Sequence, residues 1–500
     1  MMETIMPNWL MRRAELTPDR TAFETDRETV SFRTLFQMVT DIARELRSIG
    51  VRENDKVALL SESSLELVGF YHAISGAGAV SVPLNNRLSP EEAAWQLRDC
   101  GARWLICDQA FLPLAQMIVD RTPCTLLTMA EVHDQPKTSC GLNSAFDLNK
   151  PCTIIYTSGT TGHPKGVVLT YGNHWWSAAG SVLNLGLRED DKWLCCVPLF
   201  HVSGLSILMK NVIYGMTVVL SGKFNPHAAN RQICANGVTM MSVVANMLRR
   251  MLDDAGAEGY PGTFRCMLLG GGPAPLPLLN RCKEKRIPVF QTYGLTETAS
   301  QTATLPPEYM FTKIGSAGKP LFPAEIRIVT DGKAMRPNQP GEIIVRGLNV
   351  TPGYWGRRDA TERAIKGGWL YTGDIGYLDQ EGFLYILDRR QDLIISGGEN
   401  VYPAEVESTL LGHPAVEEAG VIGVADETWG EVPYAFVVIK KGLVFSEKEL
   451  LNYCRRRLAG YKLPVRIQPL ERLPRNASRK LLRRKLVDFL PKTFAPRNDF

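Results

Sequence analysis

The chain has 500 residues, about three times an ordinary domain, which excludes a single small binding module and predicts two or three domains with cores that need no staples. Its 57 Lys and Arg against 52 Asp and Glu leave +5, too mild an excess to dictate a polyanionic partner, and 45% hydrophobic with 22% charged residues is ordinary globular usage. The 43 Gly and 31 Pro exclude a collagen-like or broadly disordered chain.

Eleven cysteines are scattered, only Cys195 and Cys196 are adjacent, and no CxxC spacing repeats. That is poor support for a zinc or iron-sulfur site and predicts reduced thiols packed as small apolar groups. The first 20 residues lack an apolar run of signal-peptide length, and no later stretch approaches 18 apolar residues. A soluble cytoplasmic protein without stable membrane association is expected.

In chain order, residues 20–49 predict a short hairpin leading into an amphipathic helix, with Leu35, Val39, Ile42 and Leu46 spaced for one buried face. KVALLSESS and GAVSVPL predict buried strands around the apolar helix LELVGFYHAISGAG, and RWLICD predicts another strand after a helix over EEAAWQLRDC. The alternation continues through VVLTYGNHWWSAAGSVLNLGL, TVVLSG, TMMSVVANMLRRML and FRCMLLGGG, which predicts α/β packing. Near residue 340 the texture changes: GEIIVRG, GWLYTGDIGYLDQEG and FLYILDRR predict antiparallel hairpins. A smaller α+β domain is expected from about residue 390 to 500. In it SGGENVYPAEVESTLLGHP supplies a loop and helix, EAGVIGVAD and YAFVVIK supply strands, and EKELLNYCRRRLAG supplies a helix ending at Gly460.

The strongest local signal follows the apolar strand Thr153-Ile154-Ile155-Tyr156. It reads Thr157-Ser158-Gly159-Thr160-Thr161-Gly162-His163-Pro164-Lys165-Gly166. Gly159 and Gly162 permit a tight path, and amides, hydroxyls and the Lys165 ammonium can surround a polyanion, phosphate being the natural candidate. The order differs from GxxxxGK[ST], since Gly166 follows Lys165. Composition alone fits a surface turn equally well.

QTYGLTE at 291–297, YTGD at 371–374, DRRQDLIISGGENVYPAEVE at 388–407 and PRNASRK at 474–480 follow in order and span most of the chain. With them, YTSGTTGHPKG resembles the phosphate loop of the adenylate-forming acyl-CoA synthetase superfamily. The resemblance implies a large multi-subdomain α/β region of packed sheets and helices over residues 1–389, with a mobile α+β lid domain over 390–500. It also implies an acid-thiol ligase using ATP, Mg2+ and coenzyme A through an acyl-adenylate.

A carboxylate is a poor acyl donor, and joining it to a phosphate brings two anions together, so charge must be neutralised. By resemblance Lys480 reaches the carboxylate and the α-phosphate, while Thr157, Ser158, Gly159, Thr160, Thr161, Gly162 and Lys165 surround phosphate oxygens. Arg479 stands where the family often has Gly. Residues 451–488 hold 12 Lys or Arg against only Glu471 and Asp488, a composition that also fits a solvated face or an RNA-binding one. No nucleic acid is expected under the ligase reading.

The family's pattern further implies that Glu297, after Thr296, supports Mg2+ with the ATP phosphates, although the pair also fits a helix N-terminus. Tyr293, before Gly294, offers adenine a flat face or is a core aromatic. Gly270 and Gly271 open a turn lining the adenine and acyl pockets. Asp374 accepts from the ribose hydroxyls or sits in an ordinary turn, and Arg389 adds a donor fork. Gln391 occupies the hinge position of the lid, and Ser396, Gly397 and Gly398 form a wall of the pantetheine tunnel. His201 stands beside the acyl pocket, orienting the carboxylate or gating ATP, unless it is simply packed; His174 reads as structural. The expected substrate is an aromatic acid bearing two carboxylates, with other aryl or medium-chain acids as alternatives. The oligomeric state stays open, a homo-oligomer included.

Overall fold

In this computed structural model the structure describes residues 4–157, 164–255, 259–271, 276–388, 394–401, 403–474, 481 and 483–491. The chain forms two compact units, one of residues 1–86, 97–155 and 166–388, the other of residues 87–96, 156–165 and 389–500.

The first unit is layered α/β. Thr21–Glu24 and Thr29–Ser31 pair as the expected antiparallel hairpin, and Ser31 caps the helix Phe32–Ser48 by accepting the Thr34 N–H at 3.2 Å. Leu35, Val39, Ile42 and Leu46 are all buried on one face, each contributing about 1.5–3 kcal/mol by leaving water. Lys56–Leu60, Val80–Pro83, Trp104–Cys107, Thr125–Thr128 and Pro151–Thr157 form the parallel part of a seven-stranded sheet, which continues through Lys165–Thr170 to Gly353–Tyr354.

A nine-stranded sheet holds the parallel strands Lys192–Cys195, Thr217–Leu220, Met240–Val243, Cys266–Leu269 and Val289–Tyr293. Thr217–Leu220 lies on one side of Lys192–Cys195 and Met240–Val243 on the other, so the winding reverses at Lys192–Cys195. In such sheets the crevice beyond the carboxyl ends at the reversal is where ligands bind. The opposite end is pinned by buried Asp191, which accepts from Arg265 Nε at 2.7 Å, Thr239 Oγ1 at 2.9 Å and Arg188 N at 2.7 Å. A third sheet carries the hairpins expected after residue 340: Gly341–Gly347 pairs antiparallel with Trp369–Leu378, which pairs antiparallel with Leu384–Asp388.

In the second unit Val416–Asp426 and Gly430–Ile439 pair antiparallel over a separate apolar core. The helix here runs Glu447–Arg455 and stops short of the expected Gly460. Leu458 and Ala459 turn inward and are buried, and Gly460 instead opens the 3-10 turn Gly460–Lys462. The stretch from Ser396, expected to open as loop, instead forms a tight hairpin, Glu399–Val401 pairing back on Ile394–Ser396. Inside this unit the buried Lys462 ammonium meets Glu405 at 2.7 Å and Glu92 at 2.9 Å.

All eleven cysteines are free and eight are buried, where burial raises thiols such as Cys152 to about 12. Among the described residues no helix is long and apolar enough to cross a membrane.

Candidate active site

Three connections beyond the carboxyl ends of the nine-stranded sheet carry predicted site residues: His201 after Lys192–Cys195, Gly270 and Gly271 after Cys266–Leu269, and Tyr293 closing Val289–Tyr293. His201 is the residue before the helix Val202–Tyr214. Its side chain makes no capping bond, and its ring tilts against Phe200 at a centroid distance of 4.6 Å. Gly271 has φ +84°, a conformation that suits glycine after the strand.

Tyr293 is buried, and its hydroxyl donates to Asp374 Oδ2 at 2.7 Å. Asp374 is carried to that position by a bulge. Tyr371 pairs with Ile344 and Ile375 with Glu342, so residues 372–374 stand opposite Ile343 alone. Thr372 Oγ1 accepts from Asp374 N at 3.1 Å and donates to Ile343 O at 2.6 Å, fixing the bulge. Asp374 is therefore more than a turn residue: a buried carboxylate is aimed at the tyrosine of the other motif, 81 residues away.

After Tyr293 the chain doubles back so tightly that a Cβ on Gly294 would lie 1.6 Å from Ser300 O. Ala299 and Ser300 close this turn at φ +52° and +94°, a conformation costly for residues with a Cβ. Thr296–Thr298 is a single 3-10 turn, so Glu297 does not open an α-helix. Glu297 is half-buried, and its Oε1 accepts the Tyr354 hydroxyl at 2.9 Å. No group of three or more His, Cys, Asp or Glu among the described residues could hold a metal alone. A lone hard carboxylate fits Mg2+, which takes one or two protein carboxylates and draws its remaining ligands from phosphates and water.

Thr157 ends one strand of the seven-stranded sheet and Lys165 begins its neighbour, so the glycine-rich loop joins adjacent strands. Ser158, Gly159, Thr160, Thr161, Gly162, Arg389, Gln391, Arg479 and Lys480 lie outside the described residues. In the second unit Gly397 and Gly398, at φ +58° and +84°, form the two-residue turn between Ser396 and Glu399. Trp429 covers that turn, leaving a Cβ on Gly397 only 2.5 Å from Trp429 Cε3. His174 is buried, with Nε2 3.0 Å from Thr153 Oγ1, and burial lowers its pKa to about 4, in keeping with a structural residue.

Sequence reasoning missed Lys210. Its side chain is 1% exposed on the helix that follows His201; Nζ donates to Gln301 Oε1 at 2.7 Å and lies 5.0 Å from the Trp193 ring. Burial lowers this ammonium to about 7. The available signal was a single charged residue in the mostly apolar helix Val202–Tyr214.

The sheet reversal, the tyrosine–aspartate pair and the single carboxylate define a nucleotide-using enzyme of the adenylate-forming type, and the chain belongs to the AMP-binding enzyme family. Residues 10–355 match that family and residues 405–480 its C-terminal domain. The chain is 57% identical over 490 residues to 2-succinylbenzoate--CoA ligase of Geobacillus kaustophilus, covering 98% of this chain and 99% of the relative. It is 55% identical to the Bacillus cereus ligase of the same name, over 97% of this chain and 98% of the relative. Among solved structures it is similar to Bacillus subtilis o-succinylbenzoate CoA synthetase. A double mutant of that protein bound to the product analogue OSB-NCoA matches with TM-score 0.92 at 49% identity, covering 97% of this chain and 99% of that one. The complex of the same enzyme with ATP and magnesium ion matches with TM-score 0.75 at 49% identity, covering 97% and 100%.

Proposed function

We propose that this chain ligates 2-succinylbenzoate to coenzyme A at the expense of ATP, a reaction of menaquinone biosynthesis, through a bound acyl-adenylate. In the first step a substrate carboxylate oxygen attacks the α-phosphorus, the bond to the β-phosphate breaks and pyrophosphate leaves. In the second the coenzyme A thiolate attacks the acyl carbon, the carbon–oxygen bond to AMP breaks and AMP leaves. The observation that carries this reading is the Tyr293–Asp374 pair, a flat ring joined to a buried carboxylate beyond the sheet's carboxyl edge. Tyr293 lies along adenine, and Asp374 accepts from the ribose hydroxyls.

Thr157, Lys165 and the loop 158–162 hold the phosphates. Glu297 holds Mg2+, which supplies positive charge against the phosphate oxygens. Lys480, carried by a lid of residues 390–500, neutralises the meeting anions, with Arg389 beside the ribose. His201, Gly270 and Gly271 line the acyl side. Ser396, Gly397 and Gly398 border the path of the pantetheine arm in the second step.

The substrate has a second carboxylate, on its ring, and His201, nearby backbone groups and water supply its polar recognition.

A panel of 2-succinylbenzoate, benzoate and medium-chain acids, followed by AMP and thioester formation, tests the reading. Efficient thioester formation from 2-succinylbenzoate is expected. Turnover of ordinary acyl chains with none of 2-succinylbenzoate would overturn it.

A further inference from the structure

A short strap at residues 349–355 joins the strand leaving the glycine-rich loop to the turn that carries Glu297. Asn349 Nδ2 donates to Thr298 O at 3.1 Å, and Thr351 N donates to Glu297 O at 2.7 Å, so the strap grips that turn by its backbone. Gly353 and Tyr354 then pair antiparallel with Val168 and Val167, and Trp355 N donates to Gly166 O at 2.7 Å. The crossing is built for close approach: Gly353 has φ +147°, and a Cβ there would meet Thr361 Cγ2 at 2.4 Å. Thr361 Oγ1 in turn accepts Tyr354 N–H at 3.0 Å. Tyr354 is therefore fixed at its backbone before its side chain reaches Glu297 Oε1 at 2.9 Å.

A carboxylate on a flexible side chain rotates freely unless one oxygen is held, and a hydroxyl bond to an ionised acceptor is among the stronger hydrogen bonds. We infer that Tyr354 is a positioning residue for the metal-supporting carboxylate. Its phenol anchors Glu297 Oε1 and orients the carboxylate for a divalent cation on ATP, while its backbone keeps that carboxylate in register with the strand Lys165–Thr170. No hydrogen bond from another described residue reaches Oε2, the oxygen offered to the cation. The inference rests on the assignment of Glu297 made above.

The test compares Tyr354→Phe, which keeps the packed ring, with Glu297→Gln. Mn2+ serves as the spectroscopic probe, titrated into full-length protein holding ATP and followed by electron paramagnetic resonance. Adenylation and thiolysis of supplied acyl-adenylate are assayed separately, with melting curves confirming folded protein. We expect Tyr354→Phe to raise the half-saturating Mn2+ concentration about five- to tenfold and to slow adenylation more than thiolysis, with a larger Mn2+ shift in Glu297→Gln. Wild-type Mn2+ binding in Tyr354→Phe beside a shifted Glu297→Gln would overturn the positioning role alone. Equal loss in both half-reactions of Tyr354→Phe would overturn it as well, marking the tyrosine as merely structural. Wild-type Mn2+ binding in Glu297→Gln would instead bring down the assignment beneath it.

Discussion

Replacing Lys210 with Met should stabilise the protein below neutral pH, and the effect should fade as pH rises. The ammonium is 1% exposed and its pKa falls from 10.5 to about 7, chiefly because burial strips its hydration. At 1.36 kcal/mol per pH unit, that fall means roughly 5 kcal/mol spent on keeping the charged form inside below pH 7. Met removes the charge at similar volume but leaves Gln301 Oε1 without its donor, a loss of about 1–3 kcal/mol. The net is a variant more stable by roughly 2–4 kcal/mol at pH 6.5, measurable as a higher urea midpoint. The sign with pH follows from linkage. Between about 7 and 10.5 the unfolded lysine is protonated and the folded one is neutral, so wild-type stability climbs with pH, the gap closes between about pH 8.5 and 10, and above that wild type is the more stable. A variant less stable than wild type at pH 6.5, or a stability gap unchanged from pH 6 to 10, would refute the reasoning.

Asp374→Ala should raise the ATP concentration needed for half-maximal adenylation about tenfold, read by pyrophosphate release at subsaturating ATP. Unchanged activity there would remove the ribose contact. Lys480→Ala should impair adenylation while affecting thiolysis of supplied acyl-adenylate less, and equal losses would argue against its assigned role. Arg265→Met strands the buried Asp191 carboxylate and should destabilise by about 3–5 kcal/mol in urea unfolding at pH 7. Asp191 is held below the ordinary carboxylate range: burial opposes this, but Arg265 and the Arg188 N–H prevail. Its contribution is therefore complete above about pH 4 and is lost as acid protonates it, so wild type and variant should converge in strong acid.

Much of this protein is written in short-range pattern. The 3.6-residue spacing of Leu35, Val39, Ile42 and Leu46 is enough to commit that face to the interior, and the short apolar runs before Gly and Asp became strands. The order of the motifs likewise identifies the chemistry, because each motif is contiguous. The end of the helix at Arg455 was not legible: Leu458 and Ala459 are pulled into a core whose other side chains come from distant strands. The same limit applies at the site. Tyr293 finds Asp374 across 81 residues, Glu297 finds Tyr354 across 57, and Lys210 finds Gln301 across 91. Local propensity governs dihedral angles and which face is apolar, and it acts within a few turns. Which charged or hydroxyl groups meet is decided by how sheets stack and where a strand bulges. Those are properties of the packed chain, and they turned a set of recognisable motifs into a paired tyrosine and carboxylate, an anchored glutamate and a buried lysine.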